Sequence, residues 1–342
     1  MNYFEQIGFN NDANLKLLMG GNGCDTITTL EKKILFKNHV EIINLELSYK
    51  CNRKCDYCPV SFSTRQDDQS YLSEKLLNKV CNELSEIRFE NKISLNLYNE
   101  PLLDENLEDK IKIIKHKLPF SHVGFNSNGD YLRKNRLESL ANSGLNYICV
   151  TLHPLPNVIQ STSTIIKRIK KLADRLDFIF DDLFINEEVV KTQTSLEIKL
   201  YGVRIIIQWP NWRENGTNRA GTLTNHTTAN FKRITPCVKP FREFTIFFDG
   251  SVQPCCEAFH DNKISLENVG SLETASIYDL YTSKKLNLLR RSLYDFSEKK
   301  GICASCTAPD FSQLKDDNTR KALLKEIHSQ DLTKIIPSTV TF

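Results

Sequence analysis

Three cysteines fall within eight residues, in the run Cys51-Asn52-Arg53-Lys54-Cys55-Asp56-Tyr57-Cys58-Pro59. Their thiolates can reach one metal centre only if the loop wraps around it. A tetrahedral zinc site takes a fourth ligand, usually from a second Cys-x-x-Cys or His pair close by. Here the next cysteine is Cys81, inside a helical pattern, and the next histidine is His116. Three ligands with an open fourth place suit a [4Fe–4S] cube that keeps one iron free for another molecule. The alternatives are a zinc knuckle or a set of unrelated thiols.

A chain of 342 residues is long enough for one large domain and a smaller one. Its 40% hydrophobic and 25% charged residues are ordinary globular values, and a net charge of +3 argues for neither nucleic acid nor a membrane surface. No stretch of about 18 apolar residues is present, so no membrane-spanning helix is expected. The first residues show no basic segment followed by an apolar one, so no signal peptide is expected. Eleven cysteines without such a signal point to metal ligation in a reducing compartment, hence a cytoplasmic protein.

Strand and helix patterns alternate after residue 40. Val40–Leu47, Ile93–Leu97, Ser121–Phe125, Tyr147–Leu152 and Tyr201–Gln208 read as strands. Ser73–Ile87, with Ser73 as N-cap, Glu105–His116, Leu132–Asn142 and Ile165–Leu176 read as helices. Such units favour a parallel sheet, and about six of them before residue 210 predict a partial barrel. Cys81 and Cys149 lie on apolar-patterned elements and are assigned to the core, whereas Cys24 belongs to no pattern. The basic run Lys167–Lys171 reads as the wet face of its helix.

A second cysteine set comprises Cys237, Cys255, Cys303 and Cys306, with Cys256 beside Cys255. Phe244 to Pro254 reads as a hairpin with an Asp249-Gly250 turn, and Ile277–Leu293 as a helix. Four thiolates with no open position can hold zinc or an iron–sulfur cluster.

The first cysteine spacing, with Tyr57 before the last thiol, resembles the signature of the radical S-adenosylmethionine (radical SAM) enzymes. The resemblance implies an α/β fold: a partial TIM-like (β/α)6 barrel with a small C-terminal β-hairpin and helix iron–sulfur domain. Expected boundaries are a 1–39 extension, a 40–225 barrel, a 226–310 cluster domain and a 311–342 tail. The implied SAM-cluster ligands are Cys51, Cys55 and Cys58. Tyr98-Asn99-Glu100-Pro101 stands where the family carries Gly-Gly-Glu-Pro around the SAM amino group, with both glycines replaced. Asn126-Ser127-Asn128-Gly129 resembles a Thr-Asn-Gly turn near the SAM carboxylate or ribose. Thr151 and His153 would face the same mouth, Tyr57 the adenine, and Ile205 and Ile207 its pocket. Asn218-Arg219-Ala220-Gly221 resembles a segment of family members with a C-terminal cluster, and Arg219 is a candidate carboxylate partner. The second cysteine set resembles the twitch domain, the one-cluster relative of the SPASM domain.

These likenesses imply two [4Fe–4S] clusters, SAM, a flavodoxin- or ferredoxin-type electron donor and a small-molecule or peptide substrate. The expected reaction is abstraction of a hydrogen atom followed by oxidation, alcohol to ketone, of a cyclitol or sugar in natural product biosynthesis. One alternative is an epimerase or peptide maturase with Cys256 as hydrogen donor. Another is a non-catalytic iron–sulfur or zinc protein.

Overall fold

In the computed structural model the described residues are 13–20, 26–63, 71–154, 160–179, 185–212, 216–223, 231–259, 261, 268–294 and 297–308. Cys24 and the 311–342 tail lie outside them. The chain forms two compact units, one from residues 42–216 and 246–250, the other from 1–41, 217–245 and 251–342.

The first unit carries β1 (Ile42–Leu45), β2 (Lys92–Ser94), β3 (His122–Ser127), β4 (Tyr147–Thr151), β5 (Ser195–Leu200) and β6 (Val203–Gln208). Strands β1, β2, β3, β4 and β6 pair in parallel in that order, and β5 pairs antiparallel with β6 at the edge. The helices Glu74–Glu86, Leu107–Lys117 and Lys134–Asn142 follow β1, β2 and β3, as the periodicity predicts, and Thr162–Arg175 follows β4. Ser73 Oγ accepts from the Leu76 amide at 3.2 Å, which is the expected cap. That helix buries Leu76, Leu77, Val80, Cys81 and Leu84, each leucine contributing about 1.5–3 kcal/mol.

β5 was not expected. It turns into β6 through Tyr201 and Gly202, at φ of 52° and 82°. Two successive positive φ values mark the primed turn of a tight hairpin, and Tyr-Gly lacks the Asn-Gly or Asp-Gly signal that usually announces it. The sheet therefore ends at this edge in an antiparallel hairpin.

Register sorts the sheet into two faces. Rows such as Phe125–Ile148–Ile205–Ile198 and Val150–Ile207–Leu196 are buried and apolar. The alternate row Asn126–Cys149–Ile206–Glu197 runs from exposed to half-buried and is largely polar. Cys149 thus belongs to an accessible face and not, as expected, to the core. In one lower row Gly124 lies opposite Tyr147, whose ring occupies the space a Cβ would need, 2.3 Å from it.

The second unit contains the helices Thr29–His39, Lys239–Arg242, Ile277–Tyr281 and Lys284–Ser292, with β7 (Glu243–Ile246), β8 (Ser251–Gln253) and β9 (Gly270–Ser271). The Asp249-Gly250 turn forms as predicted, with Gly250 at φ 82° and its amide on the Phe247 carbonyl. Residues expected to be a separate extension supply core here. Phe36 is fully buried, with edge contacts to Phe244, Tyr278 and Tyr281 at centroid distances of 5.3, 5.6 and 5.1 Å. The expected helix Ile277–Leu293 is broken at Thr282-Ser283, where Ser283 caps the second piece and buried Arg290 donates to the Tyr281 carbonyl. The unit boundary falls at 216/217, and Asn218 beyond it is bonded to Ser305 and Thr307 of the second unit. Among the described residues no helix is long and apolar enough to cross a membrane.

Candidate active site and cluster cavity

The three-cysteine loop follows β1. Cys51, Cys55 and Cys58 are half-buried and none of them is in a disulfide. The Cys58 amide and Ser61 Oγ both donate to the Cys55 carbonyl, at 3.0 and 2.7 Å, and so close the turn. Burial pushes the Cys51 thiol up to about 12, with Glu100, Cys58 and Cys55 adding to the rise. Three thiols near enough to hinder one another's ionisation are a donor set that a bound cluster would ionise.

Residues between the cysteines anchor the loop. Arg53 grips Asp130 through Nε and Nη2 at 2.8 and 2.6 Å, and Asn52 Nδ2 adds a bond to Asp130 at 2.9 Å. Asn128 Nδ2 donates to Asn52 Oδ1 at 2.8 Å. Burial raises the Asp130 carboxyl, but its hydrogen bonds and the Arg53 charge outweigh this and hold it below the ordinary range.

Glu100 is the other anchor. Its buried carboxylate accepts from Ser127 Oγ, the Asn128 amide and the Leu102 amide at 2.7, 2.8 and 3.1 Å, while burial pushes its carboxyl up. A buried carboxylate has to be satisfied internally, so Glu100, Ser127 and Asn128 turn onto one another. The side chains expected to face SAM from the Ser127-Asn128 turn are, in this structure, braces.

Tyr57 and His153 do meet. The phenol oxygen lies 2.9 Å from His153 Nδ1 and the rings stack at 5.9 Å. Thr151 Oγ1 accepts from Gln208 Nε2 at 2.8 Å. Ile205 and Ile207, expected to line an adenine pocket, are fully buried in the apolar rows. The strand period of two places Ile206, half-buried, on the accessible face instead. Asn99 differs from the others: Oδ1 accepts from the Leu97 amide at 3.1 Å, while buried Nδ2 has no hydrogen-bond partner among the described residues. Such an orphan costs about 1–3 kcal/mol. A bound acceptor atom would remove that cost, so the site fits a ligand rich in oxygen or nitrogen acceptors, such as SAM.

In the second unit Cys237, Cys255, Cys303 and Cys306, predicted as one ligand set, line a single small cavity with Ala220, Arg233, Lys239 and Glu257. Burial pushes the Cys255 and Cys306 thiols up, and Cys237 and Cys303 raise Cys255 further. Among the described residues no three thiols, imidazoles or carboxylates converge as on one metal ion. Four thiols around one cavity are the donor set of a four-thiolate centre, an iron–sulfur cluster or zinc.

The Asn218–Gly221 segment clasps the second cysteine pair. Asn218 Nδ2 donates to the Ser305 carbonyl at 2.6 Å, and its Oδ1 accepts from the Thr307 and Gly221 amides at 3.1 and 3.2 Å. Gly221 stands at φ 81°, and a Cβ there would meet Ser305 Oγ at 2.8 Å. Arg219 pairs with buried Glu257 at 3.3 Å, and Thr217 Oγ1 donates to the same carboxylate oxygen at 2.6 Å. Burial raises the Glu257 carboxyl, but Arg219 and Lys239 outweigh this and hold it below the usual range. Arg219, expected to meet a SAM or substrate carboxylate, is thus already engaged by a carboxylate of its own chain. Cys256 is not among the cavity residues. Its amide donates to Glu243 Oε2 at 3.3 Å and Lys239 Nζ lies 3.7 Å from its sulfur, while burial, and after it Glu243, push the thiol well up.

Sequence reasoning missed Asp130, Arg233 and Glu257. Asp130 directly follows Asn128-Gly129 and Glu257 lies two residues past Cys255, but charged residues near turns carry no signal of their own. Comparison with known proteins agrees with this division of labour. Residues 45–180 match the Radical SAM superfamily, and residues 237–307 match SPASM, an iron–sulfur cluster-binding domain. The chain is 25% identical over 267 residues to the S-adenosyl-L-methionine-dependent 2-deoxy-scyllo-inosamine dehydrogenase of Niallia circulans, spanning 78% of this chain and 92% of that enzyme. The crystal structure of BtrN in complex with AdoMet and 2-DOIA has a TM-score of 0.60 at 21% identity, covering 81% of this chain and 96% of BtrN. Selenomethionine BtrN in an open conformation gives 0.52 at 19% identity, covering 79% and 92%. The three-cysteine loop thus lies in the segment that matches the Radical SAM superfamily, and the four cavity cysteines lie in the segment that matches the SPASM iron–sulfur cluster-binding domain.

Proposed function

We propose that this enzyme oxidises an alcohol carbon of a cyclitol or related small polyol to a ketone. The observation that carries the reading is the shared cavity of Cys237, Cys255, Cys303 and Cys306, which provides for a second cluster apart from the SAM site. Held by Cys51, Cys55 and Cys58, a [4Fe–4S] cluster would supply the electron for reductive cleavage of SAM, and one held by Cys237, Cys255, Cys303 and Cys306 would take up the electron that the oxidation releases. The similarity to a dehydrogenase acting on 2-deoxy-scyllo-inosamine, over nearly that enzyme's whole length, supports the substrate class.

The protein's own part is to hold and orient. Cys51, Cys55 and Cys58 would hold the SAM cluster and leave one iron to SAM. Arg53, Asp130 and Asn52 fix the loop that carries them. Glu100 braces the two turns beside it. The unmatched Asn99 Nδ2 would donate to an acceptor atom of SAM, a contact that glycine at this position could not make. Tyr57 and His153 fix each other at the loop's third cysteine. A flavodoxin- or ferredoxin-type donor in a reducing cytoplasm would supply the first electron.

Anaerobic incubation with SAM, dithionite and 2-deoxy-scyllo-inosamine tests this reading. The expected products are 5′-deoxyadenosine and an organic product two hydrogens lighter than the substrate. SAM cleavage with a product of unchanged mass would instead support epimerisation. That alternative retains one observation in its favour, the position of the Cys256 thiol directly after the cavity residue Cys255.

A further inference from the structure

Arg233 is a charged side chain that the reading above does not use. It is only 2% exposed. The guanidinium donates through Nη1 to the carbonyls of Cys306 and Ala308 at 3.3 and 2.7 Å, through Nη2 to Pro236 at 2.9 Å and through Nε to Thr235 at 3.1 Å. The Arg233 amide donates to the Ala304 carbonyl at 2.7 Å. These acceptors belong to two segments: 235–236 leads into Cys237, and 304–308 contains Cys306 and follows Cys303. One residue therefore ties together the backbones that carry three of the four thiols.

It also lines the cavity itself. Two other charged residues line it. Lys239 pairs with Glu243 at 3.1 Å, and Glu257 is paired with Arg219.

We propose that Arg233 is the positioning residue of the auxiliary cluster and raises its reduction potential, adapting it to accept an electron. This rests on reading the four-cysteine cavity as a [4Fe–4S] site. A cube held by four thiolates gains one negative charge on reduction, and no bond is made or broken. A buried cation close to its ligands stabilises the reduced form more than the oxidised one, because little water is present to screen it. The fork also holds the ligand carbonyls in place, which a surface lysine could not do.

The test uses the full chain with Cys51, Cys55 and Cys58 changed to Ala, so that only the auxiliary cluster is present. Iron and sulfide are counted, and the cluster is titrated under redox control with its electron paramagnetic resonance signal as readout. Arg233→Gln, which keeps amide donors without charge, and Arg233→Lys, which keeps charge without the fork, are compared with this parent. At a fixed potential near the parent midpoint, the ratio of reduced to oxidised cluster should fall at least tenfold in Arg233→Gln, a shift of about 59 mV for one electron. Most of the loss should be recovered in Arg233→Lys. If only the glutamine variant fails to hold iron, the lysine variant decides, and it must titrate near the parent. An unchanged ratio in Arg233→Gln, an equal fall in both variants, or loss of iron from both overturns the proposal. A parent that holds no iron overturns instead the reading of the cavity as a cluster site.

Discussion

The clasp at Asn218 gives a prediction whose size can be worked from the structure. Asn218 is 4% exposed, and its side chain makes three hydrogen bonds that hold the Cys303–Cys306 loop and the Gly221 turn. Changing it to Ala removes all three. Each is worth about 1 kcal/mol net, and the Ser305 carbonyl and two amides it leaves behind have little water to turn to. A loss of about 3 kcal/mol follows, or about 6–12 °C in melting temperature for a domain of 150–250 residues. Asn218→Asp should fall between the two, because it keeps both bonds to the amides but sets a carboxylate oxygen against the Ser305 carbonyl. The assay is anaerobic thermal denaturation of the iron-free protein followed by circular dichroism, with iron retention under chelator as second readout. A drop in melting temperature of less than about 2 °C, with unchanged iron retention, would refute the clasp.

Phe36→Ala should destabilise the second unit by about 3–5 kcal/mol, since it empties a fully buried site ringed by Phe244, Tyr278 and Tyr281. Chemical denaturation measures it, and a loss below about 1 kcal/mol would show that the 29–39 helix is dispensable. Asp130 carries a pH dependence: its folded carboxyl is held below the ordinary value, so its contribution is present above the usual carboxylate pKa of about 3.9 and disappears as pH falls through the lowered value. Asp130→Asn should cost about 1 kcal/mol at neutral pH, discounted for a half-exposed pair, and should flatten the acid limb of stability. An unaltered acid limb would count against that contribution. Cys256→Ala should keep SAM cleavage and full oxidation, with no solvent deuterium at the reacting carbon when the parent is assayed in deuterium oxide. Loss of product in that variant, with one deuterium taken up by the parent, would move the assignment to an epimerase.

Some of this molecule was fixed by sequence alone. The spacing of Cys51, Cys55 and Cys58 demands a loop, and the strand before it and the capped helix after it follow from local periodicity. The turn at Asp249-Gly250 and the grouping of Cys237, Cys255, Cys303 and Cys306 were also legible, because cysteine spacing and turn chemistry act over a few residues or carry a distinctive side chain. Other features depended on which distant residues meet. Ile207 and Ile206 differ by one position, and only the register of the sheet decides which of them faces solvent. Asn218-Arg219-Ala220-Gly221 reads in the sequence as a family-like segment with Arg219 as a carboxylate partner, yet contacts 87 and 38 residues away make Asn218 a clasp and pair Arg219 with Glu257. Phe36 reads as part of an extension until its three aromatic partners, more than 200 residues on, enclose it. Arg233 shows the limit most clearly: a lone arginine in a polar stretch gives no hint of its fate. Only the folded backbone brings the Cys237 and Cys306 segments near enough for one guanidinium to bind both. Local physics is written residue by residue in the chain, whereas burial and partner choice exist only once the chain has closed on itself.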